Sequence, residues 1–211
     1  MIGPDEAEIR VLGALIEKQR ATPDSYPLSL NSLRLATNQA TGREPVVDYD
    51  ESLIRDAVAR LVRRGWARLA SGPGSRATKY RHLLDDALSL SGAELSVLAV
   101  MMLRGPQTPG ELRLRTERLH RFATLEELDA VLARLDERRL IVRFDRRPGQ
   151  KEARWSLGEE FAAAERPEDA RPAAPSVAPA DDDDLESRVA ALERDLDQLR
   201  QLVERLRDGE S

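Results

Sequence analysis

The chain contains no cysteine, which removes disulfides, a thiolate nucleophile and thiolate metal sites together. Histidine occurs only as His82 and His120. Neither belongs to a His-x-His or His-Glu-x-x-His pattern, so no metal site is expected and both are placed at the surface or its boundary. No nucleophile elbow, phosphate-cradling glycine loop or dinucleotide fingerprint occurs. The Gly72-Pro73-Gly74 and Pro148-Gly149 runs have a simpler use as hairpin tips. The carboxylates are scattered over amphipathic segments. No catalytic residue, cofactor or enzymatic activity is therefore expected. The most apolar run, Leu95 to Leu103, falls well short of the ~20 residues that span a bilayer. The N-terminus, MIGPDEAEIR, carries acid where a signal peptide needs base. A soluble, cytoplasmic protein without a membrane partner is the expectation.

What the sequence does hold is a repeat. Asp50 to Gly65, DESLIRDAVARLVRRG, sets Ile54, Ala57, Val58 and Leu61 at helical spacing. Gly65 stands where a helix can end in a left-handed turn. WARLA and RATKYRH follow as short strands, with Ser71 to Ser75 as the turn between them. From Thr124 the pattern recurs. Leu128, Val131, Leu132 and Leu135 form the stripe, then LIVRF and KEARWSL the strands, with Asp145 to Gln150 as the tip. Leu61 matches Leu135 and Trp66 matches Leu140, 74 residues on in each case. Tyr80 matches Trp155 at 75. A helix feeding a glycine-tipped hairpin is the back half of a winged helix. The expected fold is thus mostly α with small β-hairpin wings, built as two tandem winged-helix domains over residues 1–84 and 85–160.

The front halves match as well. Asp5 with Glu8, and Ser91 with Glu94, form capping boxes ahead of the stripes Ile9, Leu12, Ile16 and Leu95, Leu98, Met102. A short helix is expected from about Ser29 to Thr37, and its counterpart opens at Thr108-Pro109-Gly110-Glu111. The first copy is longer here by a polar loop, NQATGREPVVDYD, which the minimal fold does not need; such loops are often functional. Where the first copy ends its third helix with Gly65, the second has Arg139. Its helix is expected to end differently and its wing to be set at another angle. Leu83 to Leu90 reads as either a helix extension or a hinge.

The net charge of −5 is unevenly spread. Residues 1–84 hold 13 basic and 10 acidic side chains, residues 85–160 hold 13 and 14, and residues 161–211 hold 7 and 14. The acid is in the tail, so the overall sign does not exclude nucleic acid. In a winged helix the third helix enters the major groove and the wing touches backbone or minor groove. Candidates for double-stranded DNA are Ser52 and Arg55 on that helix, with Arg60, Arg63 and Arg64 further on, and Arg76 and Lys79, next to Arg81, in the first wing. In the second wing they are Arg146, Arg147, Lys151 and Arg154, next to Arg143. The second copy's short helix adds Arg113, Arg115, Arg118 and Arg121. Asp50, Glu51 and Asp56 oppose phosphate. Glu126, Glu127 and Asp129 make the second third-helix suit a protein surface better. Tyr80 and Trp155 alternate with the basic residues but are expected in the core rather than stacking on bases.

Residues 161–184, with PEDARPAAPSVAPA and four aspartates, have too little apolar content for a core and read as a disordered, flexible linker. Over 185–208 the heptad positions are unbroken. Leu185, Leu192, Leu199 and Leu206 stand at d, with Val189, Leu196 and Val203 at a. That pattern favours a C-terminal coiled-coil helix forming a parallel homodimer, with Arg188 facing Glu193 and Asp195 facing Arg200 of the other chain.

Several longer runs resemble the signature of the YceH family, bacterial proteins of uncharacterised function. They are Glu17 to Ser52, Ser71 to Tyr80, Leu103 to Phe122 and Arg147 to Trp155. The resemblance implies a pair of winged-helix domains and, by fold only, DNA binding; it brings no activity or ligand. The family pattern falls, among others, on Asn38, Gln39, Arg43 and Glu44. These are polar, lie in the extra loop and are hard to explain as scaffold, so they are a candidate functional loop. The expectation is a DNA-binding protein with a possible transcription-regulatory role. The rival is a protein–protein interaction module that uses its winged-helix surfaces without nucleic acid.

Overall fold

The structure is a computed structural model and describes residues 3–70, 78–144 and 152–161. Helix α1 (Glu6–Ala21) begins where Asp5 accepts the Glu8 N–H and the Glu8 carboxylate accepts the Asp5 N–H. This capping box satisfies two amides that the helix itself cannot. A two-residue strand β1 (Leu28–Ser29) runs into α2 (Leu30–Thr37), which Ser29 caps. Asp50 caps α3 (Glu51–Arg63), and β2 (Ala67–Leu69) and β3 (Lys79–His82) follow. After a single short helix, α4 (Leu84–Leu88), the order repeats. Helices α5 (Gly92–Arg104), α6 (Pro109–Thr116) and α7 (Leu125–Glu137) precede β4 (Ile141–Phe144) and β5 (Arg154–Leu157). Ser91 with Glu94, and Thr108 with Glu111, close capping boxes as the residue spacing requires.

The sheets carry the repeat further than the hairpins alone. In the first, β3 lies between β1 and β2, all antiparallel, with Tyr80 opposite both Leu28 and Leu69. In the second, β4 pairs with β5, and Gln107 takes the place of β1 by exchanging both backbone hydrogen bonds with Trp155 at 2.7 and 2.8 Å. Tyr80 and Trp155 thus hold the same position, half-buried and packed on the core. Three helices and an antiparallel sheet in this order are consistent with a winged-helix-like fold.

Arg139 corrects the expectation that the second hairpin leaves its helix differently. Gly65 has φ +76° and Arg139 has φ +57°. At α3 the Gly65 N–H reaches Val62 O and the Trp66 N–H reaches Leu61 O, at 3.1 and 3.0 Å. At α7 the Arg139 N–H reaches Asp136 O and the Leu140 N–H reaches Leu135 O, at 2.8 and 2.9 Å. Both helices end in the same paired-carbonyl turn. Arginine bears the steric cost of a left-handed backbone that glycine escapes.

The described residues fall in one compact unit with a shared apolar core. Leu12, Leu15 and Ile16 of α1 and Leu98 and Met101 of α5 are fully buried within it. At the crossing of α1 and α5, a Cβ on Gly13 would stand 2.8 Å from Met102 Cβ, so only glycine allows this approach. Leu84 and Leu90, at the two ends of the connecting segment, are buried too.

Candidate nucleic-acid and partner interfaces

Helix α3 turns Ile54, Ala57, Val58 and Leu61 inward, which leaves Ser52, Arg55 and Asp56 exposed on its first two turns. Arg55 pairs with Glu51 one turn back, both side chains more than half exposed. Arg60 and Arg64 serve a different purpose from the one expected of them. The Arg60 guanidinium meets Asp5 at 2.7 Å and Glu8 at 3.1 Å, and Arg64 meets Glu8 at 2.9 Å. They bind α3 to the start of α1. Burial alone pushes the Glu8 carboxyl up, but the Asp5 N–H and the two guanidinium groups outweigh it and hold it below its ordinary value.

The first sheet puts cations on one face. Side chains of directly opposed residues share a face, as do those two apart on one strand. Arg68 lies opposite Arg81, and Lys79 stands two residues from Arg81. Arg68 and Lys79 are exposed and Arg81 is half-buried, with a buried Nε that meets no hydrogen-bond acceptor among the described residues. Like charges directly opposite oppose strand pairing. Arg76, Arg146, Arg147, Lys151 and the heptad residues Leu185 to Leu206 lie outside the described residues.

Arg154, Arg115 and Arg113 of the second copy are occupied by neighbours, while Arg118 and Arg121 are exposed. Arg154 donates to Glu111 at 3.0 Å and to Pro106 O at 2.9 Å. Arg115 donates to the Gln107 side chain, and Arg113 to Ala123 O at 3.0 Å. Burial raises the Glu111 carboxyl, yet the Thr108 N–H with Arg154 and Arg115 brings it below its ordinary value. Arg143, opposite Trp155 across the hairpin, lines a groove of about 950 Å³ between α7 and the strands. Pro109, Leu125, Leu132, Ala133 and Trp155 supply its apolar wall, and Asp129, Asp136 and Glu152 its acid. A second depression of about 360 Å³ meets it at Gly110 and Leu125 and adds Leu114 and Phe122.

In the extra loop, three of the four candidate residues have structural duties. Asn38 receives the Tyr49 N–H and donates to Tyr49 O, at 3.0 and 2.8 Å, which closes the loop on itself. Gln39 accepts from Lys18 and donates to Thr41. Arg43 is buried, holds both Glu17 oxygens at 3.0 and 2.6 Å, and donates to Ala36 O. Glu44 keeps an exposed side chain, while its N–H reaches Leu103 O at 2.9 Å. Arg10 completes the attachment, donating to Pro45 O and Leu103 O at 2.7 and 3.2 Å. The loop ties α1 and α2 to the end of α5.

His82 also departs from its surface assignment. Its ring is fully buried, accepts the Leu84 N–H at Nδ1 and bonds Gln19 through Nε2, while the His82 backbone N–H donates to the Tyr26 hydroxyl at 2.7 Å. Burial pulls its pKa down to about 4 and pushes the Tyr26 hydroxyl up. His120, partly exposed, stands 3.8 Å from Glu127. Among the described residues, no group of His, Asp and Glu could hold a metal ion, and no helix is long and apolar enough to cross a membrane.

Sequence reasoning missed Arg68, the groove and the exposure of Leu114 and Leu125, 72% and 42%. Arg68 needs the cross-strand register, and the groove needs the packing of α6 and α7 against β5. Leu125, three residues before the buried Leu128, lies on the same side of the helix as the core stripe, so no local pattern signalled its exposure.

Residues 5–150 match a family model described as "Protein of unknown function, DUF480". A UPF0502 protein of Serratia proteamaculans is 41% identical over 206 residues, covering 94% of this chain and 93% of its own. One from Solibacter usitatus is 42% identical over 205 residues, covering 96% of each. One from Citrifermentans bemidjiense reaches 49% over 153 residues, 72% of this chain and 71% of its own. The chain therefore belongs to the DUF480 family of unknown function, as its YceH-like motifs imply.

Proposed function

We propose that the chain is a tandem winged-helix protein that binds double-stranded DNA through its first copy and acts in transcriptional regulation. The observation that carries this reading is the strand face bearing Arg68, Arg81 and Lys79. An opposed arginine pair works against folding, whereas it suits two adjacent phosphates. Ser52 and Arg55 stand exposed on the N-terminal half of α3, the half that enters the major groove in this docking mode. Among the described residues Arg55 has an exposed ion pair with Glu51 to give up, a contact worth no more than about 1 kcal/mol. The heptad helix would join two such chains, with the 161–184 linker between, in the cytoplasm. The test is fluorescence anisotropy with a mixed-sequence duplex. Arg68→Glu with Lys79→Glu is expected to weaken binding at least tenfold; unchanged affinity overturns the reading.

A second reading, an interaction module that binds no nucleic acid, is favoured by Glu126, Glu127 and Asp129, all exposed at the start of α7. Under it the same double reversal leaves a partner complex intact.

A further inference from the structure

We propose that the groove between α7 and the second hairpin is the docking site for a basic, amphipathic helix of another protein. This rests on the protein-partner part of the second reading, to which it gives a definite surface and a partner chemistry, and that part is compatible with DNA on the first copy.

The argument starts from the repeat. Shifted by 74 residues, Glu51 of α3 corresponds to Leu125 of α7, Arg55 to Asp129 and Val62 to Asp136. The face that carries Arg55 in the first copy thus carries an exposed leucine and two carboxylates in the second. On the hairpin side Glu152 adds a third carboxylate, and among the described residues that line the groove Arg143 is the one cation. That balance disfavours phosphate at the groove.

The acid surrounds apolar surface. Leu125, Ala133 and Trp155 line the groove, and Leu114 extends the apolar surface from the adjoining depression. An exposed, acid-rimmed apolar patch of this kind marks an interaction site. From Leu125 to Asp136 the helix advances about 16 Å, the length of three turns of a partner helix. Such a helix would set residues at i, i+3, i+4 and i+7 on the leucines, with Lys or Arg flanking that stripe to meet Asp129, Asp136 and Glu152. This chain's own tail is a poor occupant, because residues 161–211 hold 14 acidic against 7 basic side chains.

The probe is a random-peptide display library panned against the full-length protein. Binding of the enriched peptides is then measured to wild type, Asp129→Lys/Asp136→Lys, Leu125→Asp, and an Asp24→Lys control on an exposed turn far along the sequence. The substituted groove side chains are exposed, so circular dichroism is expected to show a native fold. Enriched peptides are expected to be cationic with helical apolar spacing. They should lose at least tenfold in affinity on the double reversal and on Leu125→Asp, with the control unchanged. Cationic peptides that bind the double reversal as well as wild type sink this site but leave the second reading standing on another surface. Enrichment of acidic peptides, or cross-linking of the groove to the chain's own tail, overturns the proposal. If no peptide of any charge is enriched, both fail.

Discussion

At neutral pH the His82 imidazole is uncharged and fully buried, bonded to Gln19 and to the Leu84 amide. Lowering the pH should destabilise the chain through this ring. Burial is the main cause of its depressed pKa, with Arg81 and Arg20 adding to it and Asp85 and Asp86 opposing. The folded pKa is about 4, against roughly 6.5 in the unfolded chain. Between those values the unfolded state holds a proton that the folded state lacks, so stability falls as pH falls. Each unit is worth about 1.4 kcal/mol, which sums to roughly 3 kcal/mol once pH 4 is reached. The carboxyls of Glu8, Glu94 and Glu111, all held below their ordinary value, also cost stability as they protonate. The effect of His82 is therefore read as a difference. Urea unfolding of wild type and His82→Gln is followed from pH 7 to pH 4. The variant is expected to be less stable at pH 7 and to lose roughly 3 kcal/mol less over that range. Parallel curves for the two proteins would refute the reasoning.

Four further outcomes follow from backbone and burial. Arg139→Gly removes the left-handed strain at the end of α7 and should raise stability by about 1 kcal/mol, while Gly65→Ala lowers it by a similar amount; chemical denaturation reads both. Gly13→Val drives methyl groups onto Met102 and Leu103 and should cost about 1–3 kcal/mol, seen as a lower thermal midpoint. Arg43→Met strands Glu17 and the Ala36 carbonyl. Since Glu17 keeps 21% side-chain exposure, the loss belongs near the low end for broken buried pairs, about 3 kcal/mol, with increased amide exchange through residues 38–49.

The helices were legible because three local signals agree. Apolar spacing, a capping side chain and the glutamate three residues on all point to the same start at Asp5 and Ser91, and at Thr108 the capping box is joined by Pro109 at the first helical position. The hairpins were legible from the repeat. What escaped was fixed by long-range geometry. Strand β1 is two residues long and owes its existence to Tyr80 and Lys79 on β3, so no local pattern announces it. Arg139 takes a left-handed backbone because the hydrogen bonds from the Arg139 and Leu140 amides enforce it, against the residue's own preference. Arg60, Arg64 and Arg43 look like free cations in sequence; their partners Asp5, Glu8 and Glu17 lie 26 to 56 residues away. Of the candidate nucleic-acid contacts, Ser52, Arg55 and Lys79 stand on exposed surface, whereas Arg154 is held by Glu111.

The central claim, DNA contact by the first copy, is tested most directly by the salt dependence of duplex binding with the full-length chain. Affinity for a mixed-sequence duplex is measured between about 50 and 200 mM salt. Each phosphate neutralised contributes about 0.9 to the slope of log affinity against log salt. Arg68, Arg81 and Lys79 then predict a slope of about −3 or steeper, reduced in magnitude by about 2 in the Arg68→Glu/Lys79→Glu variant. Absence of binding at about 50 mM, where phosphate attraction is strong, or a slope that the variant leaves unchanged, contradicts the account.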